Sequence, residues 1–134
     1  MNILKRFFKK KSKAKKVLIV EDDALLSKVL SEHLVNENFE VALAENGLRV
    51  AGAVKDFLPD MILLDLIIPG IDGFAVLKQL KENEKSKNIP VLVLSNLGDV
   101  GDVKSAKALG AEGYFIKSNT EMDKIVKYIK NRLG

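Results

Sequence analysis

Apolar residues in this chain fall into five short runs, and between the runs they recur every three or four positions. The runs are 16–20, 39–44, 61–66, 90–95 and 113–116, rich in Val, Ile and Leu. A short run without alternation suits a strand buried on both faces; 39–44, which alternates, suits a strand with one wetter face. Helical spacing predicts a first helix over 24–36, with Leu26, Val29, Leu30 and Leu34 inward, and Asn38 as a left-handed stop. A second covers 46–58, with Val50, Val54, Phe57 and Leu58 inward and Pro59 ending it. A third covers 74–82, with Phe74, Leu77 and Leu80 inward. The fourth, 99–109, has few large apolar residues and carries Gly101 in its first turn, so it buries little and is free to shift. The last, 120–132, puts Met122, Ile125, Val126 and Ile129 on one face, and Thr120 with Asp123 forms a capping-box pattern. Strand and helix alternate five times. That pattern implies an α/β domain with a parallel sheet covered on both faces.

The polar residues that end the runs carry the chemistry. Right-handed crossovers bring the ends of the first, third, fourth and fifth strands to one edge of the sheet. Glu21, Asp22, Asp65, Ser95 and Lys117 should therefore meet there. Ligands bind at this edge in open α/β sheets. A phosphate-binding loop would place glycines after the first strand, whereas this chain places Glu21-Asp22-Asp23. Three carboxylates repel a free phosphate and welcome a hard divalent cation. Asp23 reads as the cap of the first helix. Asp65 ends a wholly apolar strand just before a Pro69-Gly70 turn, and a carboxylate so placed needs a counter-charge.

Composition narrows the classes. The 134 residues suffice for one domain with a real core, and the absence of cysteine removes disulfides, thiolate metal sites and thiol nucleophiles. No apolar run approaches the ~20 residues of a membrane-spanning helix. The net charge of +4 belongs to the start of the chain. Residues 1–16 hold eight basic residues and no acid, while the remainder holds 14 basic and 18 acidic ones. The domain itself is mildly acidic, which argues against reading it as a nucleic-acid binder. Residues 1–15 form a basic leader and 16–134 the domain. Two readings of the leader stay open. One is a solvated charge block. The other is a short amphipathic anchor on an anionic membrane surface, with Ile3, Leu4, Phe7 and Phe8 on one helical face, and the same charges suit an acidic partner. His33, the sole histidine, reads as a boundary residue of the first helix rather than a functional one.

Four features in order resemble the receiver domain of two-component response regulators over residues 16–133: Val20-Glu21-Asp22; Asp65 with Pro69 and Asp72-Gly73; Ser95 ending the fourth strand; and Gly110-Ala111 leading to Tyr114 and Lys117. The resemblance implies a flavodoxin-like (βα)5 fold, doubly wound, with strand order 2-1-3-4-5; that order comes from the family and is not read from spacing. It implies a stand-alone phosphoacceptor in a phosphorelay. Asp65 takes the phosphoryl group; Lys117 and Ser95 stabilise phosphoryl oxygens; Asp22, Asp65 and the Ile67 carbonyl ligate Mg²⁺, with Glu21 acting through water. Ser95 and Tyr114 form the switch, and the output face is the fourth helix, fifth strand and fifth helix. The implied partners are a sensor histidine kinase or histidine phosphotransfer protein and a downstream protein target, with no direct DNA binding. The implied setting is cytoplasmic, or peripheral at the inner membrane surface.

Four positions depart from the family pattern. Ser118 follows Lys117 where the family usually has a cis proline. Asn96 replaces a small residue after Ser95, and Ile67 and Leu97 are apolar where they flank the site. Ile67, Asn96 and Leu97 imply slow self-dephosphorylation. Competing classes fare worse. An aspartate-nucleophile phosphohydrolase of the haloacid-dehalogenase type needs a second Asp where Ile67 stands, and a nucleotide or flavin module needs a glycine-rich loop after the first strand. The alternative that survives is a receiver-like interaction module that works without phosphorylation. The chain is not expected to be a turnover enzyme.

Overall fold

The computed structural model describes residues 13–134. The leader pattern of Ile3, Leu4, Phe7 and Phe8 lies outside the described residues. Five strands, β1 (Lys16–Val20), β2 (Glu40–Ala44), β3 (Met61–Leu64), β4 (Val91–Ser95) and β5 (Gly113–Ile116), alternate with helices α1 (Ala24–Asn36), α2 (Val50–Phe57), α3 (Gly73–Glu82), α4 (Val100–Ala108) and α5 (Met122–Leu133). All strand pairs are parallel, in the order β2-β1-β3-β4-β5.

Side chains alternate across each strand, and the two faces receive different halves of the same runs. Leu18, Val20, Ile62, Leu64, Val91 and Val93 pack with Val50, Val54, Val76, Leu77 and Leu80 of α2 and α3 and with Ala106 of α4. Val17, Ile19, Met61, Leu63, Leu92 and Leu94 pack with Leu30 and Leu34 of α1 and with Ile125, Val126 and Ile129 of α5. Strands sandwiched this way have no wet face, which is why β1, β3 and β4 read as unbroken apolar runs. β2 and β5 are the edges and read less cleanly.

The local predictions fail where a neighbour supplies a better partner. The second helix does not begin at residue 46. Asn46 caps a 3₁₀ turn, Gly47–Arg49, and α2 follows it. Leu58 is not inward: it ends α2 in a left-handed conformation (φ 55°) and is 69% exposed. The Thr120 capping box does not form. The Thr120 hydroxyl donates to the Ile116 carbonyl at 2.8 Å, and α5 begins after Glu121 without a side-chain cap. Leu26 and Val29 are only partly buried, and His33 is exposed. Asn38 does adopt the left-handed region, at φ 69°. Among the described residues no helix is long and apolar enough to cross a membrane.

Candidate functional site

The carboxyl ends of β1 and β3 are adjacent in register, Val20 opposite Leu64. Their continuations are hydrogen-bonded, with the Asp65 N–H donating to the Val20 carbonyl at 3.0 Å. Glu21 and Asp65 therefore leave neighbouring strands side by side, and both are buried. Asp22, one residue on, is exposed. One carboxylate oxygen from each of Glu21, Asp22 and Asp65 lies within 4.8 Å of the others.

Lys117 reaches this cluster from the end of β5. Its Nζ lies 2.5 Å from Glu21 Oε1 and 2.6 Å from Asp65 Oδ2. The remaining carboxylate oxygens are held by backbone. The Asp23 N–H donates to Glu21 Oε2, and the Ile67 N–H donates to Asp65 Oδ1, both at 3.0 Å. Burial raises the Glu21 pKa against the pull of Lys117 and the Asp23 N–H. Burial alone would lower the Lys117 pKa, but its bonds to Asp65 and Glu21 and their charges prevail and raise it. The ammonium is thus firmly protonated.

The Asp65 loop is shaped by glycine. A Cβ on Gly73 would sit 2.4 Å from the Leu66 Cα, so only glycine lets the start of α3 pass so close to the chain leaving β3. Asp72 belongs to this scaffold and not to the acidic cluster: its carboxylate caps α3 by accepting from the Phe74 N–H at 3.3 Å. Asp23 likewise caps α1, accepting from the Leu25 and Leu26 N–H groups.

Ser95 ends β4, fully buried, one register step before Lys117 on β5 (Ser95 opposite Ile116). Its Oγ accepts from the Leu97 N–H at 3.3 Å. The Leu97 carbonyl accepts the Tyr114 hydroxyl. Burial raises the Tyr114 pKa, and the charges of Asp102 and Asp65 add to the rise. Ile67 places its amide on Asp65 and leaves its side chain 53% exposed at the rim. Two contacts escaped the sequence reading. The Leu97 carbonyl holds Tyr114, and Asn96 Oδ1 accepts the Ser118 N–H at 3.0 Å. The signal for the second was present: without proline, residue 118 has an N–H that needs an acceptor.

Strand order, acidic cluster and lysine together define a class, and sequence comparison agrees. The response regulator receiver domain model matches residues 17–130, and the chain belongs to that family. It is 34% identical to sporulation initiation phosphotransferase F of Bacillus subtilis, over 88% of this chain and 93% of that one. It is also 34% identical to the DNA-binding dual master transcriptional regulator RpaA of Synechocystis, over 76% of this chain and 42% of that one. The chain thus spans about half the length of several curated relatives it matches, RpaA among them, and nearly all of phosphotransferase F. Among solved structures, the Mn(2+)-bound form of response regulator Rcp1 superposes with a TM-score of 0.77 at 31% identity, covering 87% of this chain and 92% of that one.

Proposed function

We propose that the chain is a phosphoacceptor in two-component signalling. Asp65 takes a phosphoryl group from a phosphohistidine of a sensor kinase or histidine phosphotransfer protein. A carboxylate oxygen of Asp65 bonds to phosphorus, the phosphorus–nitrogen bond breaks, and the electron pair returns to imidazole. The observation that carries this reading is Lys117 bridging Glu21 and Asp65 beside Asp22 at the edge of the sheet.

The donor set fits Mg²⁺. It is all oxygen, it carries three negative charges against one lysine, and its exposed member, Asp22, leaves room for the waters that magnesium keeps. Asp22, Asp65 and the Ile67 carbonyl would hold the ion, with Glu21 bonded to its water; Rcp1 is similar and takes Mn(2+). The bound ion supplies positive charge against a phosphoryl oxygen. The remaining work falls to the chain. Backbone N–H groups orient Glu21 and Asp65 before reaction, so little reorganisation is needed. The Lys117 ammonium, already on Asp65, lies within reach of a second phosphoryl oxygen. The Ser95 hydroxyl, whose oxygen accepts from the Leu97 N–H, has its own O–H to donate to a third and moves toward it.

The output follows from that last movement. Phosphorylation adds nearly two negative charges at Asp65. Ser95 drawn toward them alters the loop that holds Tyr114, and with it the face of α4, β5 and α5. Among the α4 residues only Ala106 is fully buried, so this helix moves at low cost. The chain holds its phosphoryl group as a signal and does not act as a turnover enzyme. Acetyl phosphate with Mg²⁺ tests the reading. A phosphorylated species in the wild type, absent in Asp65→Asn, is expected. Failure of the folded wild type to take the group would favour an interaction module that works without phosphorylation.

A further inference from the structure

Residues Ser95, Asn96 and Leu97 are each tied to a different place. Ser95 is bonded to the backbone that follows it, Leu97 holds the Tyr114 hydroxyl, and Asn96 crosses to the turn that carries Lys117. That turn, Lys117–Asn119, is 3₁₀, and the Thr120 hydroxyl closes it on the Ile116 carbonyl. The Asn96 side chain is the side-chain bond joining the β4–α4 loop to the turn itself. From the geometry we infer that Asn96 is a positioning residue. It clasps the Ser118 N–H and so makes the Ser95 loop and the Lys117 turn one unit over Asp65. The inference rests on the phosphoacceptor reading above.

The physical argument is one of shared constraint. Ser95 and Lys117 are the two side chains that must meet phosphoryl oxygens; Ser95 ends β4, Lys117 opens the turn just past its register partner Ile116, and the segments beyond these paired strand ends diverge. If the loops moved independently, each would lose orientation on its own, and water would reach the phosphorus between them. The clasp favours joint movement by about the worth of one neutral hydrogen bond. A proline at 118 has no N–H and could not take part. Ser118 and Asn96 therefore belong together, the second supplying the acceptor that the first requires. Asn96 is exposed, so the bond competes with water and is worth no more than an ordinary neutral hydrogen bond.

The test is a double-substitution cycle read as the lifetime of phosphoryl-Asp65 after loading from acetyl phosphate. Asn96→Ala and Ser118→Pro each remove one side of the clasp. Each is expected to shorten the lifetime by about fivefold, the factor that corresponds to one neutral hydrogen bond. The double variant should lose no more than the worse single one. Asn96→Asp keeps an acceptor oxygen and should restore most of the lifetime, and Ser118→Ala keeps the N–H and should match the wild type. Slowed hydrogen exchange of the Ser118 amide, lost in Asn96→Ala, reads the clasp without any phosphoryl group. Single effects that multiply in the double variant, or an Asn96→Ala protein with wild-type lifetime, would overturn the inference. A wild type that takes no phosphoryl group sinks the phosphoacceptor reading instead, and these outcomes are distinct.

Discussion

β3 and α4 lie at opposite ends of the packing scale, and the site draws on both. Every residue of β3 is at most 1% exposed, and the strand hands directly to Asp65. Of the nine residues of α4 only Ala106 is buried, while Val100 is 70% exposed. β5, which pairs at the α4 side of the sheet, has no fully buried residue. The buried carboxylates therefore stand on a firmly packed platform, Tyr114 and Lys117 stand at the side that can yield, and Ser95 ends the buried β4 between the two. Chemistry needs fixed acceptors, and signalling needs a part that moves for a few kcal/mol.

The contrast can be broken by substitution. The largest effect is expected on the platform: Leu63→Ala should cost about 3 kcal/mol in urea denaturation, through lost burial and a cavity between α1, α5 and the sheet. Val103→Ala in α4 should cost about 1 kcal/mol or less. Equal costs would mean that α4 is as firmly held as β3.

Next comes Lys117→Met, which leaves Glu21 and Asp65 facing each other without a cation. With the Lys117 side chain only 16% exposed, the loss should be about 2 kcal/mol at neutral pH, discounted for that exposure. The pH dependence has a definite sign. Because the Lys117 pKa is raised in the folded chain, its stabilisation is complete below the ordinary 10.5 and is lost as pH climbs through the folded value. The gap between wild type and variant should therefore narrow above pH 10.5, measured by denaturation across that range. Glu21 works in the opposite sense. Its pKa is raised by burial, so its ionisation subtracts stability as pH climbs past its ordinary 4.5.

The smallest effect sharpens the comparison on the mobile side. Gly101 lies in the first turn of α4 with open space around its missing Cβ. Gly101→Ala should stabilise by about 0.5 kcal/mol through helix propensity alone. Slower hydrogen exchange confined to the α4 amides would be the sign. A stabilisation spread over β3 as well would show that the two regions open together.

Much of this was legible in advance because burial on both faces leaves an unmistakable pattern. Val17–Val20, Met61–Leu64 and Val91–Leu94 could be little else than central strands, and Glu21, Asp65, Ser95 and Lys117 each directly follow or end a strand. The illegible parts were matters of local competition. Leu58 looks inward by helical spacing, yet the helix ends beneath it in a left-handed turn before Pro59. Thr120 fits a capping box, yet the Ile116 carbonyl takes its hydroxyl. In each case a short-range rule met an alternative of similar energy that only the folded neighbourhood offered.

Asp65 marks the division. Sequence by itself determined that a carboxylate would end a buried strand, that two more acids would end another, and that a lysine and a serine would come later at like positions. Alternation of strand and helix then required these ends to share an edge. Tertiary structure decided the rest: that Lys117 spans Glu21 and Asp65, that Asp72 serves the α3 cap and not the cluster, and that Asn96 reaches Ser118. Strand ends follow from one-dimensional patterning, because burial is a property of runs. Side-chain partners depend on angstrom-scale distances between segments far apart in the chain, and no local pattern encodes those.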